Sequence, residues 1–262
     1  MKITTGKQAK PRRILLYGPH GVGKSSWAAN APKPLFLNIE DGLNDIDCAR
    51  TDKLNTYGDV VSAISWLVTN ENEYETIVTD TLDWLEHLVF KQVAQDAGKN
   101  QIEDIGYSKG YKFAAEKWVH LLKGFDALRD RGKTIILLAH AKIDTFESPE
   151  TERYDRYEPD LHEIGSGLIQ EWCDEVLFAS FKVFTRQEDQ GFGKTRAIAV
   201  GGKERIVRTN ESASAIAKNR LRLPDELPMS WDAFAKHLPP LGQNIKGIVN
   251  NGSSKQATPA VA

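Results

Sequence analysis

The sequence predicts an α/β fold: a mainly parallel β-sheet covered by helices, with an antiparallel strand set appended towards the C-terminus. Three observations predict it. Short runs that are apolar at every position alternate with segments whose apolar residues recur at helical spacing. A glycine-rich turn separates the first such run from the first helix. Beyond residue 165 the alternation gives way to β-branched and aromatic runs divided by glycine-containing turns.

Ile14-Leu15-Leu16-Tyr17 reads as the first buried strand, ending at Gly18, and a helix begins near Lys24. Pro34-Leu35-Phe36-Leu37-Asn38-Ile39 is the second strand. Val60, Ala63, Ile64, Leu67 and Val68 then recur at helical spacing, with Asp59 as the expected N-cap. Thr76-Ile77-Val78-Thr79 is a third strand, and Leu85, Leu88, Val89 and Val93 mark the helix after it. Ala114, Trp118, Leu121, Phe125 and Leu128 mark a longer helix stopped by Gly132. Ile135-Ile136-Leu137-Leu138-Ala139 is the fourth strand. Trp66, Trp84 and Trp118 are expected on core-facing stripes, and Trp27 in the core as well. Residues 141–165 hold eight acidic and three basic residues without apolar period, which predicts a long surface loop. Residues 176–185, 195–200 and 205–208 read as three antiparallel strands. The expected organisation is a basic segment over 1–12, a core over 13–241, and a disordered tail over 242–262, where small and polar residues dominate.

Composition narrows the function classes. With 262 residues, 40% hydrophobic and 27% charged, the chain suits one domain with a full core. Its two cysteines, Cys48 and Cys173, stand in no metal-ligand spacing, which excludes a cysteine-based zinc site and points to a reducing compartment. No apolar run is long enough for a membrane span, and the basic start lacks the apolar stretch of a signal peptide. A cytoplasmic protein with no membrane contact is expected. The net charge of −2 gives no general pull towards nucleic acid, so such binding must rest on local patches.

Gly18-Pro19-His20-Gly21-Val22-Gly23-Lys24-Ser25 matches G-x-x-x-x-G-K-[ST] between a predicted strand and a predicted helix. Glycines let successive backbone N–H groups close round phosphates, and the helix N-terminus adds partial positive charge. Lys24 would neutralise the β- and γ-phosphates and Ser25 would ligate Mg2+. The nucleotide cradle is expected over Gly18, Pro19, His20, Gly21, Val22, Gly23, Lys24, Ser25 and Ser26, with ATP and Mg2+ as cofactors. Asp80, at the end of the third strand, either completes the metal site or caps the following helix. Glu40 follows the second strand as either the base that activates water or a solvated carboxylate. His140 ends the fourth strand as either a γ-phosphate sensor or a strand cap.

These marks, in this order, resemble the RecA/RadA recombinase core, and in particular the minimal phage ATPases of that group that act in recombination or single-strand annealing (the Sak-four kind). Leu37-Asn38-Ile39-Glu40-Asp41-Gly42 is similar to the segment carrying the catalytic carboxylate, and Ile77-Val78-Thr79-Asp80-Thr81 resembles the Walker B strand. Leu138-Ala139-His140 is similar to the strand end leading into a second DNA loop. Ala217-Lys218-Asn219-Arg220 resembles the Lys-x-Arg motif that reaches a nucleotide, often across a subunit boundary. The resemblance spans residues 13–238 and implies a RecA-like P-loop NTPase fold. It also implies ATP hydrolysis with Lys24, Glu40, Asp80, His140, Lys218 and Arg220 as catalytic groups, self-association into a ring or filament, and a host cytoplasm if phage-encoded. Asn38 stands where relatives often carry an acid, and His140 where many carry an amide.

The implied DNA partner is single-stranded, with a single-strand DNA-binding protein as a further partner. Gly106-Tyr107-Ser108-Lys109-Gly110-Tyr111 combines glycines, aromatics and a cation, and Lys112 follows. It sits where the family has its first DNA loop, so Tyr107, Lys109, Tyr111 and Lys112 are the expected contacts, with local packing as the alternative for the two tyrosines. Residues 186–222 hold nine Lys/Arg against four Asp/Glu. The stretch 141–165 is acidic, so either it contacts DNA through a few residues such as Lys142, Arg153 and Arg156, or it faces a protein partner. The rival readings are a nucleotide-switched binding module for replication or recombination proteins, a hexameric DNA translocase or helicase motor, and a small-molecule phosphotransferase, which the acidic stretch disfavours.

Overall fold

Apolar runs too short to pack as helices and buried on both faces dictate the centre of the molecule. A computed structural model of the chain describes residues 3, 5, 6, 9–106, 109–189 and 195–240, with backbone only for 184–201. The element order is β1 (Arg13–Gly18), α1 (Lys24–Ala29), β2 (Pro34–Asn38), β3 (Ala49–Arg50), α2 (Tyr57–Thr69), β4 (Thr76–Asp80) and α3 (Leu82–Asp96). There follow α4 (Lys109–Asp130), β5 (Thr134–Phe146), β6 (Tyr154–Pro159), α5 (Glu163–Trp172), β7 (Glu175–Asp189), β8 (Thr195–Arg208), β9 (Lys218–Asn219), β10 (Glu226–Pro228) and α6 (Trp231–Ala235). Lys10–Leu238 forms one unit. The tail expected over 242–262 lies outside the described residues.

The sheet runs β10-β8-β7-β1-β5-β4-β2-β3, with β7, β1, β5, β4, β2 and β3 parallel and β8 and β10 antiparallel. This is an α/β P-loop NTPase sheet, with one strand (β5) between the strand leading into the phosphate loop (β1) and the one ending at Asp80 (β4). Alternate residues of each strand serve opposite faces. Leu15, Tyr17, Leu35, Leu37, Ile77, Ile135 and Leu137 pack with α2–α5 on one face. Ile14, Leu16, Phe36, Val78, Ile136 and Leu138 pack on the other with Trp27 of α1 and with Trp231 and Phe234 of α6. Double-sided burial is why the strand runs are continuous rather than alternating.

Several expectations need correction. Residues 141–165 are not a loop. The fourth strand continues to Phe146 and pairs antiparallel with β6, from Ala141 opposite Pro159 to Phe146 opposite Tyr154, and α5 follows. Both faces of this hairpin meet water in part, so no apolar alternation betrays it. Polar and cation–π pairs hold it instead, including Thr145 Oγ1 to Asp155 at 2.8 Å and the Arg156 guanidinium 3.9 Å from the centre of the Phe146 ring. The predicted break between 200 and 205 is absent, because Thr195–Arg208 is one strand whose glycines fall at a register shift opposite Phe181 and Val183. Thr56, not Asp59, caps α2, and Asp59 completes the capping box from the third helical position. Trp118 is 1% exposed as expected, but Trp66 and Trp84 are 52% and 45% exposed. The buried stripes run through Tyr57, Val60, Ile64 and Leu67 and through Leu82, Leu85, Val89 and Val93, and both tryptophans lie off them.

Candidate nucleotide site

The parallel register assembles the site at the C-terminal edge of the sheet. Gly18 lies opposite His140 on neighbouring strands, and Asn38 lies opposite Asp80. The chain then turns at Gly18 under Ala179. A Cβ on Gly18 would stand 2.3 Å from the carbonyl oxygen of Ala179, so no other residue fits there. Gly23, with φ 100°, brings the loop into α1, which begins at Lys24.

Lys24 is 5% exposed, and its ammonium donates to the carbonyls of Gly18 at 3.0 Å and Pro19 at 3.2 Å. Burial lowers its pKa, against the pull of Asp80, Asp83 and Glu40. Ser25 Oγ donates to Asp80 Oδ2 at 2.8 Å. Burial, reinforced by the charge of Glu40, pushes the Asp80 carboxyl up to about 6, against the hydrogen bond from Ser25 and the cation at Lys24. These two hard oxygen donors, converging beside a buried lysine, suit Mg2+.

Glu40 leaves the end of the second strand with its N–H, like that of Ile39, bonded to the carbonyl of Asp80. Its Oε2 accepts from Thr81 Oγ1 at 3.1 Å, and its Oε1 lies 3.9 Å from His140 Nε2. His140 is held from behind, with its backbone N–H on Asp83 Oδ1 at 3.0 Å and its Nδ1 on Asp83 Oδ2 at 2.8 Å. Burial would raise the Asp83 pKa, but the bonds from His140 win and hold it below the ordinary value. The rings of His20 and His140 stack with centroids 3.6 Å apart.

These groups open on a cleft of about 390 Å³, lined also by Gly21, Ser26, Gly42, Ile46 and Arg205. Arg205 comes from β8, and its guanidinium lies 3.0 Å from where a Cβ on Gly23 would stand. Sequence reasoning counted Arg205 only as part of a cationic stretch and passed over Asp83 and Thr81. The one available signal was that Asp83 falls three residues after Asp80 on a helix that starts at the same sheet edge.

The structure does not bring Lys218 and Arg220 to this cleft. Lys218 sits in β9 beside the start of β7, and its ammonium caps α5 by donating to the carbonyls of Gln170, Glu171 and Cys173 at 2.9, 2.9 and 2.7 Å. Arg220 pairs with Asp174 at 3.1 Å, as do Arg13 and Arg129. Asp174 adjoins the first residue of β1, so this cluster lies about 17 Å from Gly18 at roughly 3.3 Å per residue. Within one chain, both cations are engaged away from the cleft.

The expected DNA segment is in part helical. Tyr107 and Ser108 lie outside the described residues, but from Lys109 onward the chain is the first turn of the 22-residue helix α4. Tyr111 is spent on packing: its ring stacks on His162 at 3.9 Å and its hydroxyl donates to Glu103. Lys142 donates to the Leu161 carbonyl at 2.9 Å and lies near Asp144. Lys109 and Lys112 are exposed. Trp27 is core, packed edge-on against Trp231 and Phe234. No helix among the described residues is long and apolar enough to cross a membrane.

The flagellar accessory protein FlaH from Methanocaldococcus jannaschii is a structural neighbour over 84% of each chain, at 12% identity and a TM-score of 0.40. An SPbeta prophage-derived uncharacterized protein, YorG of Bacillus subtilis (strain 168), is 28% identical over 137 residues, 50% of this chain. The match covers 41% of that relative's length. The family model described as an AAA domain matches residues 10–221. With a phosphate loop, a strand-end aspartate on its serine and a match over most of its length, the chain belongs to the AAA domain family, as a P-loop ATPase.

Proposed function

We propose that this protein binds Mg·ATP in the cradle of Gly18–Ser26, hydrolyses it to ADP and phosphate, and couples that cycle to single-stranded DNA in phage recombination or strand annealing. The observation that carries the nucleotide part is the contact between Ser25 Oγ and Asp80 Oδ2 at 2.8 Å beside the buried Lys24. Lys24 and the loop N–H groups stabilise charge on the phosphates, and Arg205 adds a cation from β8. Mg2+, held by Ser25 and Asp80, would neutralise and orient the β- and γ-phosphate oxygens. Glu40, fixed by Thr81, takes the proton of the attacking water as its oxygen bonds to the γ-phosphorus, and the bond to the β-phosphate oxygen breaks. His140, steadied by Asp83, donates an Nε2–H to the γ-phosphate as the imidazolium.

The DNA part is supported by the motif order resembling minimal phage recombination ATPases, by the prophage origin of YorG, and by the exposed cations Lys109 and Lys112. Self-association into a ring or filament belongs to the same reading. There Arg220, half-exposed although paired with Asp174, is the group that would turn to a neighbour's nucleotide, whereas Lys218 is fully engaged. A second reading, a nucleotide-switched module that docks on a single-strand DNA-binding or other replication protein, is favoured by the internal engagement of Tyr111 and Lys142. The deciding experiment is the steady-state ATPase rate with and without single-stranded DNA. Stimulation supports the DNA-coupled ATPase; turnover indifferent to DNA supports the module; no turnover with Mg2+ present removes the DNA-coupled ATPase.

A further inference from the structure

We propose that His20, Glu40 and His140 form a transition-metal site of their own at the mouth of the phosphate cleft, separate from the oxygen site of Ser25 and Asp80. One donor atom from each of the three side chains lies within 4.8 Å of the other two. Nitrogen and oxygen ligands about 2.0–2.2 Å from a tetrahedral ion stand about 3.4 Å apart. The 3.9 Å between His140 Nε2 and Glu40 Oε1 therefore needs to close by only about half an ångström.

Two of the ligands already have the outer partners that metal ligands use. Asp83 accepts from Nδ1 of His140 at 2.8 Å, which fixes the ring and leaves the Nε2 lone pair facing the cleft. Thr81 donates to Oε2 of Glu40, which leaves Oε1 turned towards the histidine. The third ligand is the one that must turn. His20 is exposed, and its ring lies nearly parallel to that of His140, with 22° between the planes. Rotation about its side-chain torsions brings a nitrogen edge-on to the ion.

The donor set selects the ion. Two imidazoles and one carboxylate suit Zn2+ or Co2+, whereas Mg2+ prefers oxygen throughout. Three protein ligands leave a fourth position for water or a γ-phosphate oxygen. Under the ATPase reading above, an ion on Glu40 would take that carboxylate away from the attacking water, so micromolar Zn2+ would inhibit turnover. Only this consequence rests on that reading; the site itself does not.

The test is a Co2+ titration of untagged, nucleotide-free protein, followed by visible absorption, with Zn2+ displacement as the second step. We expect one equivalent of Co2+ with the intense bands of a four-coordinate ion, discharged by Zn2+. Affinity should fall at least 10-fold in His20→Ala, whose exposed position leaves the fold intact, and about 10–100-fold in Asp83→Asn. Ser25→Ala should bind Co2+ as the parent does while losing Mg2+-dependent affinity for a fluorescent ATP analogue. No absorption band, an undiminished band in His20→Ala, or a band abolished by Ser25→Ala would each overturn the site. Co2+ binding by a protein that fails to bind the ATP analogue would leave the site standing and remove the ATPase reading.

Discussion

Ser25 and Asp80, 55 residues apart, meet through a 2.8 Å hydrogen bond because parallel strands β1 and β4 end at one edge of the sheet. The burial that brings them together also makes ionising Asp80 costly, and its pKa stands near 6. A divalent ion there requires the carboxylate. Below about pH 6 the proton competes, so Mg2+-dependent nucleotide affinity should fall up to about 10-fold per pH unit. Titration of a fluorescent ATP analogue against pH, at fixed Mg2+, reads this. Asp80→Asn should bind weakly and lack that component; the same pH dependence in the variant assigns it elsewhere.

Lys24→Ala should abolish turnover while the thermal unfolding profile stays close to the parent's. The ammonium bridges two loop carbonyls but lies in a wide cleft, so water can replace it. Retained turnover in a pure preparation would remove the loop from the mechanism.

Arg205 is placed on the phosphate loop by the antiparallel extension of the sheet. Arg205→Ala should weaken ATP binding or turnover by about 10-fold or more, and Arg205→Lys should rescue little, because a point charge does not reproduce a planar fork. Unchanged binding and turnover in Arg205→Ala would leave this residue a bystander at the cleft wall.

Glu86 is 7% exposed on α3, with Oε2 accepting from the His162 N–H and Oε1 without a partner among the described residues. Burial raises its pKa to about 7, above the ordinary 4.5. The native state then holds a proton that the unfolded chain releases, so stability falls as pH rises from about 4.5 to about 7. Glu86→Gln should flatten that slope and be the more stable protein above pH 7, by on the order of 1–3 kcal/mol. Urea midpoints at pH 5 and pH 8, as chosen conditions, test the sign; parallel losses in parent and variant would refute it.

Lys218→Met should lower stability by about 1.5–3 kcal/mol, since three carbonyls at the end of α5 lose a charged donor. Turnover per folded molecule should stay near the parent's. Arg220→Ala separates the remaining possibility. A loss of turnover that depends on protein concentration would identify Arg220 as a group delivered between subunits, and turnover unaffected at all concentrations would confine it to the Asp174 cluster.

The phosphate loop was legible in the sequence because its chemistry is local. Eight contiguous residues between a strand and a helix carry glycine freedom, a cation and a hydroxyl at set spacing. Asp80, Glu40 and His140 were legible as strand ends, and in a parallel sheet all strand ends meet at one edge. The β5–β6 hairpin was hidden because both of its faces meet water in part and its cross-strand pairs are polar or cation–π, so no apolar alternation marks it. Trp66 and Trp84 were misplaced because helical spacing alone does not set the phase of the buried stripe by one residue.

The sequence by itself determined the alternation of strand and helix, the double-sided burial of the sheet and the presence of a phosphate cradle, all set by neighbours in the chain. Only the tertiary structure decided which distant side chains share the cleft. It set Arg205 against Gly23, Asp83 behind His140, and Thr81 on Glu40, and it carried Lys218 and Arg220 to the far edge. Those outcomes depend on strand order and register, and register is fixed by packing between segments that no local pattern of residues can relate.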